Sequence, residues 1–300
     1  MTVQWIDLVD PTREEILHAV ATALDPDAVE VLVSPQVPGR VVRPSVEAHG
    51  GYALVVLAYP RLDPVADVVE YLELDIVATP NVLLTVRKSG PRGELAPNDA
   101  IAAQAHAGAS AGGLTHAAVD DATDRLLDLL DGLYGSIDEL DGEVEHLSGV
   151  EVRRRVAELR HQLLLARRTA SGTRGIARRV ADGRIDVGDS ALFPHDVEAR
   201  FVDSYDTLVR VTEELDVARD LLGGVREYYQ AKVAEQQNDV AKKLTVIASL
   251  VLVPSFIVGF FGQNFAGEFR DEYWSVGVSV GLILSTTVAQ VALFRWRRWI

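Results

Sequence analysis

Two carboxamides, Gln263 and Asn264, stand directly after an uncharged run that ends in Phe261-Gly262. Carboxamide and backbone carbonyl oxygens accept hydrogen bonds without carrying charge, so a ring of them could hold a hydrated magnesium ion through its waters without stripping them. A carboxylate ring would bind more tightly and release more slowly. For a lone Asn-Phe pair after an apolar run, the plainer reading is a helix C-terminal cap. Just beyond, Glu268, Asp271 and Glu272 outnumber Arg270 in a short connection, which gives it an acidic character that attracts cations.

A helical repeat counted back from Gly262 places Leu244, Ala248, Leu252, Ser255, Gly259 and Gly262 near one face. That face is small or apolar with one hydroxyl. Leu244 and Leu252 could line a constriction that closes by dewetting, with Ser255 as a polar step. Small residues on a membrane helix also serve close helix packing, and that alternative stays open. Further upstream, Asp206, Glu213, Asp220 and Glu227 recur every seven residues and form one slowly drifting stripe. A solvated face is the ordinary reading of such a stripe. Placed between copies of the chain, its carboxylates would repel unless divalent ions bridged them.

The elements that carry these residues are two membrane spans. Leu244 to Phe261 contains no charged residue, and about 18 apolar residues cross a hydrocarbon core of ~30 Å at the lower limit of length. Trp274 to Phe294 is also uncharged and is bounded by Trp274 and by the run Arg295-Trp296-Arg297-Arg298-Trp299, as membrane interfaces favour. Lys242 and Lys243 precede the first span and the arginines follow the second, while the connection is acidic. Cations stay on the cytoplasmic side, so both termini are expected there, in an inner or plasma membrane.

The chain has 300 residues, a net charge of -15 and no cysteine. Disulfides, thiolate metal sites and cysteine nucleophiles are excluded. Nucleic acid is not an expected partner for so acidic a chain, and no cleaved signal is apparent at its start. The seven histidines show no paired metal-ligand spacing, and there is no phosphate-binding glycine loop, so neither an enzyme nor ATP coupling is implied. No prosthetic group is expected. A membrane-anchored interaction or sensory protein is the reading of another class.

Before the spans the sequence changes character twice. Val3–Leu8, Gly51–Tyr59, Val69–Val77 and Asn81–Arg87 read as strands, with a helix from Asp10 to about Leu24 and a linker or loose helix over Gly90–Gly113. Thr115–Leu147 and Val150 to about Ala181 are amphipathic helices that should pair antiparallel, broken at Ser148-Gly149. A third helix begins near His195 and has no convincing stop before the first span. The expected organisation is an α/β cytoplasmic domain over 1–114, a helical arm over 115–194, a stalk helix over 195–243, the first span with its mouth over 244–265, an outer loop over 266–273, the second span over 274–294 and a basic tail over 295–300. A stalk of that length needs neighbours, and self-association supplies them.

Gln237-Asn238, Lys243-Leu244-Thr245, Pro254, Gly259 and the ending Phe261-Gly262-Gln263-Asn264-Phe265 resemble the signature region of the CorA family of divalent-cation transporters. The resemblance extends over essentially the whole chain. It implies a funnel-shaped homopentamer in the lipid bilayer, with a pore lined by the first span and a selectivity filter at Gly262, Gln263 and Asn264. Gly262 would make the tight turn at the helix end and Asn264 the selectivity ring. The family's middle methionine is Gln263 here, and its acidic outer-loop pattern is absent. Counting back from Asn238 also sets Asp203 and Glu227 where the family carries acidic stalk residues, implying cytoplasmic metal sensing, with Asp206, Glu213 and Asp220 as further candidates. The implied cargo is Mg²⁺, with Co²⁺ or Ni²⁺ also accepted, moving down its electrochemical gradient. Zinc or another transition metal, with proton coupling, is the alternative within transport.

Overall fold

In a computed structural model, residues 3–20, 22–37, 39, 41–63, 68–188, 192–262 and 272–299 are described. The chain forms two compact units, Met1–Val225 and Arg226–Ile300, a coarser division than the expected segments. The first unit is built on a five-stranded sheet of β1 (Gln4–Val9), β2 (Ser45–His49), β3 (Tyr52–Asp63), β4 (Val68–Ala78) and β5 (Val82–Arg87), in spatial order β1-β5-β4-β3-β2. β2 to β5 form an antiparallel meander, and β1 joins β5 in parallel with Ile6 opposite Leu84.

Thr12 starts the first helix. Its hydroxyl accepts from Glu15 N at 3.4 Å while its own amide donates to the Glu15 carboxylate at 2.8 Å, a reciprocal cap that satisfies two otherwise unpaired amides. The helix α1 (Arg13–Ala19) is shorter than the expected Asp10–Leu24, because Val20 turns to extended backbone and buries itself in the core. A second helix, α2 (Pro26–Val33), follows in place of the expected continuation. Proline fits a first turn, where no amide is needed, but disfavours helical backbone in the residue before it. Ile16, Val20, Ala28 and Leu32 from these helices close over Leu54, Val77, Leu84 and Val86 of the sheet.

The other sheet face carries Leu57 and Tyr59, both buried, and Tyr59 Oη donates to the Ala118 carbonyl at 2.7 Å on α4 (Ala111–Glu143). Ahead of it, the segment expected as a linker or a loose helix contains α3 (Asp99–His106). α4 starts four residues earlier than its periodicity indicates, because Ser110 caps it through a 3.1 Å bond from Gly113 N. At Gly112 a methyl group would come within 2.3 Å of the Leu192 carbonyl oxygen, so glycine permits this close approach. α5 (Gly149–Ala181) starts from a second reciprocal cap, between Ser148 and Glu151.

α4 and α5 pair antiparallel, as Arg155 shows by bridging Glu139 at 2.6 Å and Glu143 at 2.7 Å. α6 (His195–Gly262) is continuous through Gly223-Gly224 and contributes to both units. Its first part is fixed in unit one by Phe201, Leu208, Val211, Leu215 and Leu222 in the core, by Tyr134 Oη donating to the Glu214 carbonyl at 3.0 Å, and by Arg167 beside Asp216 at 2.9 Å. The second unit consists of the rest of α6 and α7 (Glu272–Trp296).

A pair of opposite charges lies buried inside the first unit. Asp75 on β4 is fully buried, and Lys88, 3 % exposed, brings Nζ to 2.8 Å from its Oδ2 and also pairs with Glu73. Lys88 Nζ further donates to the Val31 carbonyl of α2 at 2.8 Å, tying the helix layer to the sheet. Burial pushes the Asp75 carboxyl up to about 7, with Lys88 pulling it down. For Lys88, burial opposes the charge, but Asp75 and Glu73 together outweigh it and hold the amine above the ordinary lysine value.

Candidate functional site

Both helices of the second unit are long and apolar enough to cross a membrane, with mean hydropathies of 2.4 and 1.8 over their most apolar stretches. Their surfaces are largely open, unlike those of core helices. On α6, Val246 and Ile257 are buried, and Leu250, Val253 and Phe261 between and beyond them are half-buried. These residues share one face at helical spacing. It is the side that meets α7, where Gln290 Nε2 donates to the Ser249 carbonyl at 3.4 Å.

The stripe expected to line a pathway lies opposite. Leu244 is 61 % and Leu252 69 % exposed, and Ala248, Ser255, Gly259 and Gly262 are exposed with them. α7 therefore leaves this uncharged, small-residue face free. The Ser255 hydroxyl donates to the Val251 carbonyl at 2.7 Å.

At the end of the stripe, Gly262 is the last residue of α6 and its φ is not in the left-handed region. The tight turn expected at this helix end would involve residues after Gly262, which lie outside the described residues. Among the described residues nothing lies within 4 Å of where a Cβ would be at Gly259 or Gly262, so none of them requires glycine at either position. Gln263 and Asn264 lie outside the described residues, as do Glu268 and Asp271, while Glu272 begins α7.

The acidic residues of α6 are spread out. Asp203, Asp206, Glu213, Asp220 and Glu227 are all exposed. Successive members of the seven-residue series are about 10 Å apart along the axis at 1.5 Å per residue, too far for one ion. Among the described residues no group of three His, Asp or Glu side chains is placed to hold a metal. Asp220 has Arg219 at 3.6 Å. Asp203 acts on His116, whose charged form burial disfavours while Asp120 and Asp203 favour it; Ser204 joins His116 and Asp120, at 3.3 and 3.2 Å.

Two features escaped the sequence reading. Gln290 is the most polar side chain within the second span, a signal visible in the sequence because such groups are costly in a bilayer. Its partner was not visible. The buried Asp75–Lys88 pair also had only a faint signal, an acid within the apolar run Leu74-Asp75-Ile76-Val77.

The family model described as CorA-like Mg2+ transporter protein matches residues 1–298. The cobalt/magnesium transport protein CorA of Thermotoga maritima is 25% identical over 308 aligned positions, covering 100% of this chain and 84% of the relative. Among solved structures, the CorA magnesium transporter of Methanocaldococcus jannaschii aligns with a TM-score of 0.79 at 17% identity, covering 99% of this chain and 91% of that one. The ZntB cytoplasmic domain of Vibrio parahaemolyticus aligns with a TM-score of 0.59 at 13% identity, covering 78% of this chain and 90% of that one. These two likenesses concern the fold.

Proposed function

This chain belongs to the CorA family of divalent metal-ion transporters, and from that premise we propose that it conducts Mg²⁺ through a pore formed by five copies. The observation that carries the reading is the open face of α6: an uncharged stripe from Leu244 to Gly262, directly opposite the face turned to α7. Five such stripes around an axis make a narrow apolar conduit, with Asn264 at its mouth. Leu244 and Leu252 supply rings that close by dewetting, and Ser255 supplies acceptors for the ion's waters. The carboxylates Glu268, Asp271 and Glu272 raise the cation concentration near that mouth. Co²⁺ and Ni²⁺ are also carried, since a filter that reads the hydration shell separates similar hydrated dications weakly.

The membrane potential drives the flux. An inside-negative potential contributes about 2.3 kcal/mol per charge per 100 mV, so a divalent ion gains about twice that with no other energy source. Purified protein in liposomes holding a magnesium-sensitive dye is expected to take up Mg²⁺ under such a potential without a proton gradient. Zinc uptake that appears only with a proton gradient, and no Mg²⁺ signal, would replace this reading with proton-coupled zinc transport. Gln263 in place of the family's methionine is the residue that favours testing it. Silence under both conditions would favour a membrane anchor.

The exposed acidic stripe of α6 is proposed as the cytoplasmic sensor. Its carboxylates would meet ligands from neighbouring copies, bind Mg²⁺ and hold the closed state while the ion is abundant. Neutralising Asp203 and Glu227 together, as Asp203→Asn and Glu227→Gln, should weaken the protection that Mg²⁺ gives against limited proteolysis. Protection at unchanged Mg²⁺ concentration would remove these two residues from the sensor.

A further inference from the structure

Most polar side chains in the two spans satisfy themselves on their own helix. Ser249 donates to the Val246 carbonyl at 3.0 Å, Ser279 to Val276 at 2.9 Å, Ser285 to Leu282 at 3.1 Å and Thr286 to Leu282 at 2.7 Å. Gln290 does not. Its amide crosses to the Ser249 carbonyl of α6, and its Oε1 is buried without a hydrogen-bond partner among the described residues. An unpartnered amide oxygen is costly in a bilayer, so its retention at this depth needs a reason.

The place where Gln290 reaches α6 supplies one. Pro254 lies inside α6 and has no N–H to give to the carbonyl of Leu250, and its ring crowds that carbonyl. The turn around Ser249 and Leu250 is therefore short of one backbone hydrogen bond. Gln290 holds the residue next to this break, from α7, at the level of Leu252.

We infer that Gln290 is a positioning residue for transport: its amide holds the proline-weakened turn of α6 against α7 and so keeps the Leu252–Ser255 level of the conduit back from the axis. This rests on the reading of that stripe as the pore lining. Without the amide, the turn relaxes toward the axis and the apolar constriction narrows. The mouth at Gly262–Asn264 lies beyond the break and keeps its affinity. The effect should accordingly fall on the maximal rate and not on half-saturation.

The test uses the full-length protein in liposomes with Gln290→Met, which keeps the length of the side chain and removes the donor. The maximal Mg²⁺ uptake rate is expected to fall roughly three- to tenfold, the range one intramembrane hydrogen bond supports. The half-saturating Mg²⁺ concentration should stay within about twofold of wild type, as unaltered binding at the mouth requires. Because the chain has no cysteine, Val251→Cys on α6 and Leu284→Cys on α7 can carry spin labels in oligomers diluted with unlabelled chain. Gln290→Met should broaden their distance distribution.

A wild-type rate in the variant overturns the inference while the pore reading stands. A lower rate with an unchanged label distribution overturns positioning as the cause, and a change in half-saturation of the same size as the loss of rate does so too. A wild-type protein that carries no Mg²⁺ removes the pore reading and this inference together.

Discussion

Replacing Asn264 by alanine should abolish potential-driven Mg²⁺ uptake while leaving the protein assembled. The carboxamide stands just after an uncharged span, and each of five copies would contribute one acceptor to the ion's inner water shell. Mg²⁺ gives up its waters reluctantly, so the mouth must replace bulk hydrogen bonds with its own. Losing five such bonds, each worth roughly 0.5–1.5 kcal/mol net, should lower the uptake rate by at least about a hundredfold. Asn264→Asp should instead bind Mg²⁺ more tightly and pass it more slowly, because a ring of carboxylates raises the attraction without easing release. Uptake in Asn264→Ala within about threefold of wild type, a loss of under ~0.7 kcal/mol, would place the filter elsewhere.

The second large effect concerns the first unit. Lys88→Met should destabilise it by about 3–5 kcal/mol, because it leaves Asp75 buried without its cation. For a unit of this size that corresponds to a fall in melting temperature on the order of 10 °C. The pH dependence has a definite sign. The Asp75 carboxyl is held up to about 7 in the folded chain, well above its unfolded value, chiefly by burial. Between those two values the folded state keeps a proton that the unfolded state has released. Stability due to this group is therefore present at acid pH and is lost as pH rises through about 7. Removing Lys88 removes the opposing pull, so the penalty should be larger at pH ~8 than at pH ~5. Adding Asp75→Asn should restore more than half of the lost stability and flatten the dependence. Thermal unfolding of the detergent-solubilised protein measures this, and an unchanged transition for Lys88→Met at pH ~8 would show that the pair carries no weight.

The two effects separate cleanly by location. Asn264 acts on ion recognition and should not move the melting of the first unit, whereas Lys88 acts on the sheet and its α2 cover. A loss of uptake in Lys88→Met would follow the loss of folded protein, and correcting the rate for folded protein should restore it.

The sequence by itself determined the features that local chemistry fixes. Two uncharged runs with basic and aromatic flanks define the spans, since a bilayer tolerates little else over that length. The start of α5 at Ser148 with Glu151 three residues on, and the periodic helices α4 and α5, also follow from neighbours along the chain. The signature around Gly262-Gln263-Asn264 led to the family, and the model match over residues 1–298 established it.

Only the tertiary structure decided the rest, because it depends on groups that meet from distant parts of the chain. The strand β2 is visible as a strand only through its register with β3, where Val46 faces Val55. Asp75 and Lys88 become a pair because β4 and β5 run antiparallel side by side, Asp75 opposite Val86. A helical repeat shows that Leu244, Leu252 and Ser255 share a face, but the position of α7 decides that this face is the free one. The same packing gives Gln290 its partner. Local sequence sets which residues share a surface; which surface meets another element is set by contacts across the fold, where burial and hydrogen bonding act between residues far apart in the chain.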